Sequence, residues 1–334
     1  MFTPRTSEPH RHSVRRKFLP SPDLAEFIRW IEYHETPKAD ETLYPLAFSV
    51  FPFIACYLGT PCAAFEYDRG ECRLLARVSV VGPCDHRVAD FGHGSDFRTL
   101  RVVFEPTGFF RVFRVSPAEI SNLAHDGVDV LGPRVAELHA RLHETRCPER
   151  MVEVTEQMLR TWRTNVLPRS GIQLAAQRLL HCRGRTDLGA VARSLGLSDS
   201  SWRRHFKTEI GITPKRYLRM LRFEQAVGLR LKFPERSWTQ VCLESGYYDQ
   251  AHFIADCQAM ARCTPSDFMR EIAVMPAFLA EAVYGQAVKS QESVSDVPRV
   301  ADLYGSRTRE VAAAREGGSG PARPNGRFLP IRAA

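Results

Sequence analysis

The sequence predicts an α+β fold class with its two structure types segregated, a β-rich N-terminal half with packed helices followed by an all-α C-terminal unit. Three features of the 334 residues predict it. Short runs rich in Val, Phe, Ile and Tyr, broken by turn residues, fill Thr42–Glu105. Helical spacing of apolar residues takes over after Pro106. One pattern, a short helix, a glycine and a capped helix, then occurs twice between Ile172 and Glu271.

The runs LAFSVFPFIACYLG, AAFEYDRG, CRLLARVSVVGP and FRTLRVVFEP read as an antiparallel unit, a small barrel or sandwich. Segments Pro117–Leu123, Pro133–Glu144 and Glu149–Trp162 read as helices packed on it, one of them a candidate dimer surface. The basic first residues, to about 20, read as a flexible arm, and 285–334, rich in Gly, Pro, Ala and Arg, as a disordered tail. No apolar run approaches the length that spans a bilayer, and the first residues lack the apolar stretch of a secretory signal, so a cytoplasmic location is expected.

Nine cysteines at irregular spacing form neither a CxxC pair nor a disulfide framework, and are expected to be reduced apolar fillers. The formal charge of +8 is unevenly distributed. Residues 1–170 carry 22 basic and 22 acidic side chains, whereas 171–270 carry 16 basic against 9 acidic. Local basic clusters neutralise phosphates, so this segment is where nucleic-acid affinity would reside.

In LGAVARSLGLSDSSWRRHFKTEIG, Leu188–Leu195 has a short helical pattern ended by Gly196, and Ser198 or Asp199 supplies the N-cap of the next helix. Helix, glycine turn and capped helix make a helix-turn-helix layout. At about 100° per residue, Trp202, Phe206 and Ile210 share one face and Ser200, Arg203, Arg204 and Lys207 another. The apolar face seats the helix, and the guanidinium forks remain available for phosphates or guanine edges.

The segment ITPKRYLRMLRFEQAVGLRLKF reads as one long helix from Pro214. Its Arg stripe, Arg216, Arg219, Arg222 and Arg230 with Lys215, is expected to be solvated surface. A second unit follows: a helix over Trp238–Glu244, a turn at Ser245 and Gly246, and a helix capped by Asp249 running to about Met260. It exposes Gln250, Ala251, Ala255 and Gln258, and from Ser237 to Arg270 it has 2 basic against 4 acidic residues. The two units therefore cannot grip DNA equally.

With G-I-T-P-K-R-Y-L-R-M-L-R after the first capped helix, and S-G-Y-Y-D-Q-A-H-F plus C-T-P-S-D-F in the second unit, the C-terminal hundred residues resemble the AraC/XylS family of bacterial transcription regulators. The resemblance implies contacts to bases or backbone from Ser200, Arg203 and Arg204 in the first unit and from Gln250, Ala251 and Ala255 in the second. This chain has Ala255 where the family often has a basic residue and Cys257 where it usually has Phe, which shifts the expected grip to the first unit. The N-terminal half, through FEPTGFFRVF, is similar to sensor domains of that family. The implied plan is a sensor or dimerisation domain over 21–168 and a DNA-binding domain over 172–273. Implied partners are double-stranded DNA, a small-molecule effector and a second copy of the chain, and the acidic second unit suits a contact with RNA polymerase.

A barrel of cupin-like form can hold a metal, so a metal-dependent enzyme with an accessory helical domain is the alternative, with His86, Asp90 and His93 as its candidate ligands. Their spacing is unspecific, and GxSxG, HExxH and P-loop patterns are missing. The expectation is a non-enzyme with no metal and no cofactor.

Overall fold

The computed structural model describes residues 14–36, 42–45, 48–94, 96–182 and 186–274. The expected tail over 285–334 lies outside them. Ten strands form two open antiparallel sheets among these residues. They are β1 (Val14–Phe18), β2 (Ile28–Thr36), β3 (Thr42–Pro45), β4 (Phe53–Tyr57), β5 (Ala63–Glu66), β6 (Glu71–Leu74), β7 (Val78–Val81), β8 (Ala89–His93), β9 (Phe97–Phe104) and β10 (Ala124–Asp126). The larger sheet has the order β1-β2-β9-β4-β7-β10 and the smaller β3-β8-β5-β6. The barrel expectation is thus corrected to two open sheets, because no edge strand of one sheet pairs with an edge of the other among the described residues.

The larger sheet lies between two apolar layers, which explains why β7 is buried at every position, Ser79 included, and β4 at its three central ones, rather than at alternating ones. On one side Ile54, Val80, Leu100 and Val102 pack with Phe109 of α1 (Gly108–Phe113), Leu138 of α3 (Arg134–His143) and Leu159 of α4 (Pro148–Trp162). On the other, Phe97 packs with Ala64, Leu75 and Ala89 of the smaller sheet region. A 3-10 turn over Pro117–Ile120 and α2 (Gly127–Leu131) complete this half.

Residues 14–18, placed by the sequence in a flexible arm, form β1 instead, paired along its length with β2. Arg15 on β1 and Arg101 on β9 both bind the buried carboxylate of Glu32, so the charge of Arg15 is spent inside the sheet. Burial opposes ionisation of Glu32, but the two guanidinium groups hold its pKa below the ordinary value.

The C-terminal half is helical: α5 (Gly171–His181), α6 (Leu188–Ser194), α7 (Asp199–Ile210), α8 (Pro214–Lys232), α9 (Trp238–Glu244), α10 (Gln250–Ala261) and α11 (Pro265–Val274). Its core includes Trp202, Phe206, Tyr217, Phe223, Phe253 and Phe268. Two residues of the N-terminal half, Phe48 and Val50, belong to the same core. Phe48 lies 5.2 Å from Phe223 and 5.8 Å from Phe268, ring to ring. None of the described cysteines is joined in a disulfide. No described helix is long and apolar enough to cross a membrane.

Candidate nucleic-acid interface

The two helical units repeat each other down to their backbone hydrogen bonds. After α6, Gly196 takes a positive φ of 66°, its N–H donates to Arg193 O, and Leu197 N–H donates to Ala192 O at 3.2 Å. After α9, Gly246 at φ 83° donates to Leu243 O and Tyr247 N–H to Cys242 O at 2.9 Å. Both are Schellman turns, which need a left-handed residue that only glycine supplies without strain. Each next helix begins on a side-chain cap: Ser198 Oγ accepts from Ser201 N–H, and Asp249 Oδ1 accepts from His252 N–H at 2.8 Å.

In the first unit, α7 buries Trp202, Phe206 and Ile210, as the spacing predicts. Trp202 and Phe206 meet at 4.9 Å, and Phe206 reaches Tyr217 on α8 at 5.4 Å. Ser200, Arg203, Arg204 and Lys207 are all exposed. The structure places these four expected contacts on one helix face, and Arg203, Arg204 and Lys207 have no ion-pair partner among the described residues.

The Arg stripe of α8 is different: Arg216 is exposed, as expected of a solvated stripe, Arg219, Arg222 and Arg230 are half-buried, and all four are engaged by other groups of the protein. Arg216 pairs with Asp85. Arg219 binds Asp256 Oδ1 through Nη2 at 2.6 Å and Nε at 3.1 Å. Arg222 lies over the Tyr247 ring, and Arg230 lies over Trp238 while donating to Arg236 O. Each guanidinium joins elements of the protein rather than facing solvent alone.

In the second unit, α10 exposes Gln250, Ala251 and Ala255 and buries Phe253, Cys257 and Met260. Thr239 hydroxyl, on α9, donates to Gln250 Oε1 at 3.4 Å. This face presents no cation. Its negative composition is largely paired: Asp256 is buried, takes Arg219 and accepts from Tyr247 hydroxyl at 3.1 Å, while the more exposed Glu244 pairs with Arg236 and Asp267 with Arg270. Sequence reading missed the Arg219–Asp256 pair. Its signal was an acid in the Phe253, Cys257, Met260 register, where an ion survives only beside a partner.

The alternative ligands do not converge. His86 Nδ1 sits 2.6 Å from Asp85, the buried Asp90 is held by Arg87 at 2.9 Å and by Tyr67 hydroxyl, and the His93 ring stacks on Phe97 at 4.2 Å. Asp90 and His93 are three residues apart on β8, so they leave opposite faces of the strand. No group of three His, Cys, Asp or Glu side chains among the described residues could hold a metal ion.

Two tandem units of this form, the first with a basic exposed face, are the layout of a DNA-binding helical domain. Residues 191–271 match the family model described as "Helix-turn-helix domain". This is an AraC-type helix-turn-helix domain, and the chain that carries it is a DNA-binding transcription regulator. Similar solved structures include an apo, singly substituted form of ToxT from Vibrio cholerae, 9% identical, covering 73% of this chain and 97% of that one at a TM-score of 0.41. Another is wild-type ToxT from the same organism bound to an unsaturated fatty acid, 10% identical over 79% of this chain and 96% of that one, TM-score 0.37. The AraC-like transcriptional activator CuxR is 15% identical over 64% and 86%, TM-score 0.26. No curated protein matches the chain in sequence.

Proposed function

We propose that the chain binds promoter DNA mainly through the first unit, with Arg203, Arg204 and Lys207 on phosphates or base edges, Ser200 beside them, and Gln250, Ala251 and Ala255 of the second unit in support. One observation carries this reading: the arginines of α8 are spent on contacts within the protein, whereas those on the outer face of α7 are not. Counterion release at these side chains supplies affinity, and side-chain contacts in the major groove supply specificity. The working division is a regulatory domain over 21–168 and a DNA-binding domain over 172–273, in a cytoplasmic protein without an enzymatic reaction.

The N-terminal half is proposed to answer a small-molecule effector. A cavity of about 30 Å³ between the sheets, walled by Phe53, Tyr57, Phe91, Glu66, Arg73 and Asn122, supports a site there. As it stands it holds only about two water molecules, so an effector must part the sheets to enter. The exposed outer sides of α3 and α4 are available to a second copy of the chain, and the cation-poor second unit to RNA polymerase.

Gel-shift titration at fixed salt tests the reading. Arg204→Ala should weaken promoter binding by on the order of 1–3 kcal/mol and reduce its salt dependence, while Ala255→Gly leaves binding nearly unchanged. Wild-type affinity in Arg204→Ala would remove the assignment of α7 as the reading helix.

A further inference from the structure

The stretch between β7 and β8, residues 82–88, touches both helix-turn-helix units. Gly82 N–H donates to Ile120 O at 2.8 Å, and a Cβ there would lie 2.7 Å from the carbonyl oxygens of Pro117 and Ile120, so the stretch begins clamped under the 3-10 turn. Pro83 abuts Gly211, the C-cap of the first unit's reading helix; a Cβ on Gly211 would meet the proline ring at 2.9 Å. Cys84 exchanges both backbone hydrogen bonds with Ser49, at 2.8 and 3.0 Å, which places Phe48 and Val50 in the helical core.

The next residues grip the helices directly. Asp85 N–H donates to Asn122 Oδ1 at 2.9 Å, and its carboxylate binds Arg216 in the first turn of α8. Arg87 N–H donates to Met260 O at 2.7 Å, near the end of α10. The Arg87 guanidinium, almost wholly buried, bonds Glu271 on α11 at 2.8 and 3.1 Å and Asp90 at 2.9 Å. One seven-residue loop, fixed at both ends to the β-rich half, thus holds the start of α8 and the α10–α11 end of the second unit.

We propose that this loop sets the placement of the two units relative to each other, with Asp85 and Arg87 as positioning residues, and so sets the spacing of the two DNA segments the chain accepts. Tandem reading helices meet successive major-groove segments, so their separation fixes the number of base pairs between them. A shift of one base pair moves a segment by about 3.4 Å and rotates it around the duplex axis, which a rigid joint cannot follow. The loop's flanking residues Val81 and Ala89, with Asn122, line the cavity between the sheets, so a ligand parting the sheets would act on the joint through Asn122 and Asp85. This inference rests on the DNA-binding reading above.

The test uses the full chain and duplexes selected by it from a random-sequence library. Selected sites are then remade with one base pair added or removed between the two protected segments and titrated at fixed salt. The Asp85→Asn, Glu271→Gln double variant keeps side-chain shape and leaves the Arg87–Asp90 pair intact; near-UV circular dichroism and cooperative unfolding verify its fold, and each single substitution is measured beside it. Wild type should lose about tenfold or more in affinity on a one-base-pair change, and the variants less than about threefold, with affinity for a single segment unchanged. Folded variants that keep the wild-type spacing penalty overturn the proposal, as does wild-type selection of a site with one segment only. Failure to select any duplex instead overturns the DNA-binding reading itself.

Discussion

Asp256 is a residue whose chemistry departs from its formal charge. Asp256 counts against DNA binding in a sum of charges, yet it is buried under Arg219 and Tyr247 and projects almost no field toward a duplex. Asp256→Ala should lower stability by about 3–5 kcal/mol, because it strands a guanidinium against a low-dielectric surface; urea unfolding measures it, and Asp256→Asn should cost less by keeping the hydrogen bonds. Loss below about 1 kcal/mol would mean that water replaces the carboxylate at no cost. At Gly211 the demand is conformational. Its φ of 100° and the proline ring beside it exclude a side chain at the end of α7.

Among the elements, the helices of the C-terminal half carry their own boundaries. The α9 helix starts on a capping box: Ser237 Oγ accepts from Gln240 N–H, and Gln240 Oε1 accepts from Ser237 N–H at 3.0 Å. Ser237→Ala should cost about 0.5–2 kcal/mol in thermal or urea unfolding, and no change would show that the helix is held by packing alone. Starts and stops of α6 to α10 were legible because caps, glycines and the spacing of 3.6 are local signals. The strands β1 and β2 were not. Their segments RRK and RWIEYHE carry many charged residues and no clean alternation, yet some of these charges turn out to be paired across strands, as Arg15 and Arg101 are with Glu32. A period that counts charge as exposure cannot see a buried ion pair.

For the molecule as a whole, the two halves share a core. Phe48→Ala should destabilise the chain by about 3–5 kcal/mol and lower the unfolding midpoint of the helical half, read by circular dichroism at helical wavelengths; an unchanged helical midpoint would make the halves independent. The same joint contains Glu224 on α8, whose pKa burial pushes up to about 8, Arg29 on β2 partly offsetting it. Folding therefore retains a proton that the unfolded carboxyl, near 4.5, gives up. That contribution is complete below the ordinary carboxyl range and is lost as pH rises through about 8. Stability should fall by on the order of 1–3 kcal/mol between pH 6 and 9, a fall that Glu224→Gln removes.

The sequence by itself determined the segregated α+β class, the two helix-turn-helix units, the face of α7 that carries Ser200, Arg203, Arg204 and Lys207, and the exposed face of α10 with Gln250, Ala251 and Ala255. All of these follow from caps, turns and periods within about twenty residues. Only the tertiary structure decided that the β unit is two open sheets, that the α8 arginines are engaged by other groups of the protein, and that one loop of the N-terminal half grips both units. Those features depend on partners far apart in the chain, Arg87 with Glu271 or Phe48 with Phe268, and side-chain spacing along a single segment contains no information about which distant charge or ring will neutralise or cover it.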